Sequence, residues 1–183
     1  MNAAPGCRQA GFTLIEQIMV VVLVAVLAGV AFPPLSHFIR RQELKTAQFD
    51  YIAALRFARA AAIEKNVRTL FCPSIDGRHC GNYTDWDRGW LLARDRDRDG
   101  QPDDTPLRIG QVATHVIILG SSGRKRVYFR PDGMAPGSNL SLLFCAHGNP
   151  GQALKVVVAN SGRVRGSAAT PAEARACAAS TPD

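Results

Sequence analysis

The chain of 183 residues has only four histidines, no C-x-x-C pair and no His/Cys cluster at zinc spacing, which removes the usual zinc centres. Ser161-Gly162 lacks the G-x-S-x-G frame of a nucleophile elbow. His37, His79, His115 and His147 are scattered, and no catalytic constellation stands out. The expectation is a protein that is not an enzyme and holds neither metal nor cofactor. No internal repeat is evident. A 46% hydrophobic content with 20% charge and 11 prolines excludes disordered and collagen-like chains. Lysine is scarce, so that 18 of the 22 bases are arginine, whose planar fork suits phosphate and carboxylate.

Charge is nearly absent from residues 12–32, a run of 21 with Glu16 as its sole charged side chain. As a helix this run is about 31 Å long, the thickness of a bilayer's hydrocarbon core. A small-x-small cleavage site at its far end, the mark of a secretory signal, is missing. Pro33-Pro34 is expected to end or kink the helix, because proline lacks the amide donor and clashes with the preceding turn. Arg8 before the span and Arg40-Arg41 after it leave the orientation undecided. An ionised Glu16 inside an apolar segment costs about 2.5–3.5 kcal/mol at the bilayer centre. Nothing else in the segment neutralises it, so its counter-ion is expected from a partner.

The five cysteines are Cys7, Cys72, Cys80, Cys145 and Cys177. If processing removes Cys7, four remain in two local groups. Pairing Cys72 with Cys80 and Cys145 with Cys177 closes loops of about nine and 33 residues, worth roughly 2.6 and 3.7 kcal/mol in chain entropy. That pairing needs an oxidising compartment and places the C-terminal part outside the cytoplasm. Four buried free thiols are the alternative.

Gly11-Phe12-Thr13-Leu14-Ile15-Glu16, after a short basic leader, resembles the processing site of type IV pilins and type II secretion pseudopilins. The resemblance implies cleavage by a prepilin peptidase after Gly11 and N-methylation of Phe12. It also implies pairing of Glu16 with a neighbouring subunit's terminal amine during assembly with other pilins or pseudopilins. Pro33 sits where pilins commonly carry a helix-distorting proline. The implied layout is a cleaved leader at 1–11, a transmembrane and assembly helix at 12–34, an amphipathic continuation at 35–66 and a periplasmic or extracellular β-rich domain at 67–183. The subunit is then a single-pass inner-membrane protein before assembly and part of a cell-surface pilus afterwards.

Residues 35–65 contain no glycine or proline. Leu35, Phe38, Leu44, Tyr51, Ile52, Leu55, Ala58 and Ile63 recur at three- and four-residue spacing, an apolar stripe for packing on a sheet. After Asn66 the pattern turns to short strands, predicted at 67–72, 90–94, 116–119, 127–130, 141–145 and 154–159. Breakers such as Asp99-Gly100, Pro131-Asp132-Gly133 and Asn149-Pro150-Gly151 separate them. A long helix followed by strands predicts an α+β fold, the helix laid on an antiparallel sheet. The tail beyond Gly166 reads as loose except where Cys177 anchors it. The Cys72…Cys80 loop, Gly89-Trp90-Leu91-Leu92, the turn at 95–100, Val127-Tyr128-Phe129-Arg130-Pro131-Asp132-Gly133 and Gly162-Arg163-Val164-Arg165 resemble the GspH/FimT group of minor pilins and pseudopilins, which implies a type IV pilin-like fold.

Charge is uneven as well: residues 76–104 carry eight acids and five bases, residues 105–183 nine bases and three acids. A basic C-terminal half suits a polyanion, or simply a solvated surface. Asp95-Arg96-Asp97-Arg98-Asp99-Gly100 superficially matches the start of a calcium loop, but the twelfth position is Pro106 where a bidentate glutamate belongs. A solvated hairpin tip is the simpler reading. Arg163 and Arg165, if extended, point to one face about 6.6 Å apart, with flanking glycines that leave room for a phosphate. Arg124-Lys125-Arg126 forms a second basic cluster, read as a charged hairpin rim or as additional phosphate contacts. Gly162-Arg163-Val164-Arg165 resembles the Gly-Arg-x-Arg motif of FimT-type minor pilins that bind double-stranded DNA in natural transformation. The third arginine of the fuller pattern is here Ser167. The resemblance implies non-specific binding, with log K falling against log salt at a slope of about −4 for four or five phosphates. A pseudopilin of a type II secretion system and a structural initiator of pilus assembly without DNA binding are the alternatives.

Overall fold

The computed structural model describes residues 12–111, 115–121, 123–146 and 149–180, with backbone alone at 30–37 and 149–150. Helix α1 spans Leu14–Glu64. It passes through Pro33 and Pro34 without a break, so the pair does not end it. Gly11 and Cys7 lie outside the described residues, as do the side chains of Pro33 and His37. The chain divides into two compact units, Met1–Ile39 and Arg40–Asp183.

In the first unit the large apolar side chains from Leu14 to Leu27 are exposed. Among the described residues no helix is long and apolar enough to cross a membrane.

The second unit is α+β. Strands β1 (Thr69–Pro73), β2 (Trp90–Arg94), β3 (Arg108–Gly110) and β5 (Val127–Phe129) form one antiparallel sheet in the order β3-β2-β1-β5. Strands β4 (Val116–Gly120), β6 (Leu140–Ala146), β7 (Asn149–Val158) and β8 (Val164–Ala168) form a second, β4-β6-β7-β8, also antiparallel. Helix α2 (Pro171–Ala178) follows. Leu44, Tyr51, Leu55, Ala58 and Ala62 of α1 are buried at helical spacing in one core with Phe71, Leu92 and Phe129 of the first sheet and Ile118, Leu142, Phe144 and Val156 of the second. Ala54, Ala58 and Ala62 keep this face of α1 thin, so that the Thr69 hydroxyl donates to the Ala58 carbonyl at 3.0 Å. Tyr51 sits edge-on to Phe71 and Phe144, with ring centroids 5.7 and 5.2 Å away. Its hydroxyl donates to the Trp86 carbonyl at 2.6 Å, and burial pushes its pKa well above the ordinary value.

Four expectations need correction. Phe38 and Ile63 are exposed and do not belong to the core stripe. Asn149-Pro150-Gly151 opens β7 and does not separate strands, although the ladder to β6 shifts register there, Cys145 pairing with Ala153 and Ala146 with Asn149. From Ser167 to Ser180 the tail is ordered, because β8 runs to Ala168 beside β7 and α2 follows immediately. Thr170 and Glu173 form a reciprocal capping box on α2, Lys155 of β7 pairs with Glu173, and Cys177 bonds Cys145 of β6. Finally, Asp95 is not part of a solvated tip. It is fully buried, with Arg68 facing it at 3.3 Å. Both disulfide pairings, Cys72–Cys80 and Cys145–Cys177, are present as expected.

Candidate functional site

At the start of α1, the Thr13 carbonyl accepts from the amides of Glu16 and Gln17 at 3.1 and 3.2 Å. Glu16 therefore lies in the first helical turn, where the helix dipole favours a negative charge. It has no ion pair among the described residues. Phe12 is 77% exposed just before the helix.

The Arg163–Arg165 segment is built by a tight β7–β8 connection. The Gly162 amide donates to Ala159 O at 2.8 Å and the Ala159 amide to Arg163 O at 3.0 Å. Gly162 has φ +77°, a left-handed conformation that suits glycine. Val164 is buried in the core while Arg163 and Arg165 are exposed, so the expected alternation holds. Arg165 pairs in register with Val157, and Ser167 with Lys155. Arg163, Arg165 and Ser167 thus form one outward row on an edge strand. Neither arginine has an ion pair among the described residues.

The two glycines do a different job from the one expected. A Cβ on Gly162 would fall 1.9 Å from Gly133 O, and one on Gly166 2.8 Å from Ile52 Cδ1. Both face the protein's own backbone and helix, and make no space for a phosphate. Arg59 of α1 completes this packing by donating from Nε to Gly133 O at 2.9 Å.

Arg124, Lys125 and Arg126 lie in different surroundings. Arg124 is exposed. Lys125 donates to Asn82 Oδ1 at 3.0 Å. Arg126 is half-buried, and a Cβ on Gly100 would touch its Cδ and Cζ at 3.7 Å.

In the aspartate turn, one oxygen each from Asp95, Asp97 and Asp99 lies within 4.8 Å of the others. Each carboxylate takes one backbone amide within the turn. Asp95 Oδ1 takes the Gly100 amide, Asp97 Oδ1 the Asp99 amide and Asp99 Oδ1 the Gln101 amide. Burial pushes the Asp95 carboxyl above the ordinary value, against the pull of Arg68. Gln101 in turn clamps the Cys72–Cys80 loop, accepting from the Cys80 amide at 2.8 Å and donating to its carbonyl at 3.3 Å. In that loop Asp76 takes the amides of Arg78 and His79 and the His79 ring, which hold its carboxyl well below the usual range.

A long N-terminal helix whose C-terminal half packs on antiparallel sheets is the architecture of a pilin-like subunit. The chain belongs to the GspH family, described as type II transport protein GspH, over residues 50–162; residues 6–32 match the prokaryotic N-terminal methylation motif. It is similar in structure to the type IV minor pilin FimU of Pseudomonas aeruginosa strain PAO1, at 20% identity over 74% of this chain and 94% of that one, with a TM-score of 0.58. A second crystal form of FimU gives 18% identity over 70% and 94%, with a TM-score of 0.54. The minor pseudopilin EpsH from the type 2 secretion system of Vibrio cholerae matches at 14% identity over 69% and 97%, with a TM-score of 0.50. No curated protein matches the chain. These structural likenesses establish the fold; the family model and the motif make the chain a GspH-family protein with an N-terminal methylation motif.

Proposed function

We propose that this subunit is a minor type IV pilin, built into a pilus or priming its assembly, that captures double-stranded DNA for uptake in natural transformation. The observation that carries the DNA reading is the outward pair Arg163 and Arg165, exposed on an edge strand without carboxylate partners among the described residues. Guanidinium groups spaced along one face suit successive backbone phosphates and read no sequence. Arg124, exposed at a turn, is a further contact.

The test is DNA binding by the full chain in non-ionic detergent, followed over a range of salt. The wild type is expected to lose affinity with a log–log slope of about −4, and Arg163→Ala/Arg165→Ala to flatten that slope by about two units. Binding that the double variant leaves unchanged would end the hypothesis. The family description, type II transport protein GspH, favours a second reading, a type II secretion pseudopilin; absence of duplex binding by the wild type supports it.

In either reading a prepilin peptidase cuts after Gly11, Phe12 becomes the methylated N-terminus, and the helix holds the subunit in the inner membrane until assembly. Exposed apolar side chains from Leu14 to Leu27 support a lipid or protein surrounding for this segment. The proline at 33 removes one helical hydrogen bond and gives the segment a place to bend. Glu16, with no ion pair among the described residues, takes the terminal amine of a neighbouring subunit. Glu16→Leu is therefore expected to insert in the membrane but to be missing from sheared fibres on immunoblots. Equal incorporation of both forms refutes the pairing.

A further inference from the structure

The outward face of the first sheet ends in a cavity of about 970 Å³ walled by Arg68, Arg96, Arg98, Arg130, the Tyr128 ring and one carboxylate, Asp132. Strand register gathers these groups. Leu70 pairs with Tyr128, and Thr69 with Phe129, so Arg68, two residues before Leu70, and Arg130, two after Tyr128, share the outward face with them. The Arg68 guanidinium lies 3.8 Å over the Tyr128 ring.

The acids nearby are engaged elsewhere. Asp95 is buried against Arg68, Asp97 and Asp99 accept backbone amides, and Asp104 holds Arg94 and Arg96 at 3.2 and 2.8 Å. Arg130 shares its charge with Asp132 at 3.0 Å. Arg98 has no ion pair among the described residues, and it stands at φ +67°, a conformation that favours glycine. Backbone strain of this kind concentrates at ligand sites. Pro131, Asp132 and Pro136 of the cavity wall belong to the turn after β5, and that turn packs on the β7–β8 connection that leads into Arg163: Ala135 donates its amide to Asn160 O at 2.8 Å, and Gly162 fits tightly against Gly133 O.

We propose that this cavity is a phosphate-binding station in which Arg98 and Arg130 grip a backbone phosphate of the DNA held by Arg163 and Arg165. Two guanidinium forks offer the charge-assisted donors that a phosphate accepts, and the volume admits a phosphate with its flanking sugar. In naming DNA as the phosphate's carrier, the inference rests on the DNA-binding reading above.

Arg98→Gly/Arg130→Gln tests it. Glycine meets φ +67° without strain, and circular dichroism melts check that the fold is kept. The variant, as full chain in detergent, is expected to flatten the salt slope of duplex binding by about one to two units and to bind about tenfold more weakly at 50 mM salt. Inorganic pyrophosphate at about 10 mM is expected to raise the melting midpoint of the wild type and not of the variant. Wild-type slope and affinity in this variant, with loss of binding in Arg163→Ala/Arg165→Ala, overturn the cavity and leave the DNA reading standing. A wild type that binds no duplex overturns the DNA reading. A pyrophosphate shift lost in the variant then upholds the cavity as a site for free phosphate, and no shift overturns it as well.

Discussion

Gly162→Ala is expected to lower the melting midpoint of the second unit by about 10 °C, more than alanine at Gly123 or Gly137. Two independent terms add at this position. The first is conformational: φ +77° is left-handed, and a side chain there costs about 1–2 kcal/mol. The second is steric. The new Cβ would fall 1.9 Å from Gly133 O, a backbone carbonyl already fixed by the Arg59 guanidinium at 2.9 Å. Forcing the two turns apart adds the overpacking penalty of about 1–3 kcal/mol, and each kcal/mol moves the midpoint of a domain near this size by about 2–4 °C. Gly123 and Gly137 separate the terms, since both have positive φ and nothing within 4 Å of an added Cβ. Alanine at either should show the conformational term alone, a drop of a few degrees. A Gly162→Ala midpoint no lower than those two would refute the steric half of the argument. The result also bears on function. If the glycine serves packing, Gly162→Ala weakens DNA binding only to the extent that it displaces Arg163, and the salt slope of its folded fraction stays at the wild-type value.

Helix α1 was legible because glycine and proline are missing from 35–65 and because Leu44, Tyr51, Leu55 and Ala58 recur at helical spacing. The same spacing overreached at Phe38 and Ile63, since periodicity reports which side chains are apolar and not which ones meet a sheet. Strands β1, β2, β4 and β6 were readable as short apolar runs. Arg108–Gly110 was not: it is a three-residue edge strand, made by pairing with Trp90–Leu92 and not by its own propensity. The end of the chain was misread for a related reason. Ser167, Ala168 and Ala169 have weak preferences, and what orders them is β7 alongside and a disulfide to β6. One local signal was available there, the Thr170-Pro171-Ala172-Glu173 capping box. At the candidate site the Arg163/Arg165 alternation followed from the apolar Val164 between them. The role of Gly162 did not, because Gly133 reaches it only through tertiary packing. The same holds for the cavity arginines, which strand pairing collects from three separate stretches of chain.

Removal of the Cys145–Cys177 bridge by Cys145→Ala/Cys177→Ala is expected to lower stability by about 3.7 kcal/mol on the chain-entropy account of a loop of this size. The loss should exceed that from opening the Cys72–Cys80 bridge, about 2.6 kcal/mol, whose loop is much shorter. Both sulfurs are buried with Ile117, so truncation also leaves a small void and the figure is a lower bound. The release should begin at α2. With the bridge gone, that helix is tied down by its capping box, the Lys155–Glu173 pair and little buried surface beyond Ala174 and Ala178. Hydrogen exchange in Pro171–Ala178 is therefore expected to speed up well before the sheets open. Acid should deepen the effect. Lys155, with the Thr170 amide and hydroxyl, holds the Glu173 carboxyl down at about 2. A carboxyl depressed in the folded state stabilises fully above its ordinary value of 4.5, and that contribution is lost as the pH falls through about 2. The double variant should then shed α2 between pH 4.5 and 2, where the bridged protein retains it. Unchanged exchange in α2, or a midpoint equal to that of the oxidised wild type, would mean that the helix is held by contacts other than the bridge and the Glu173 pair.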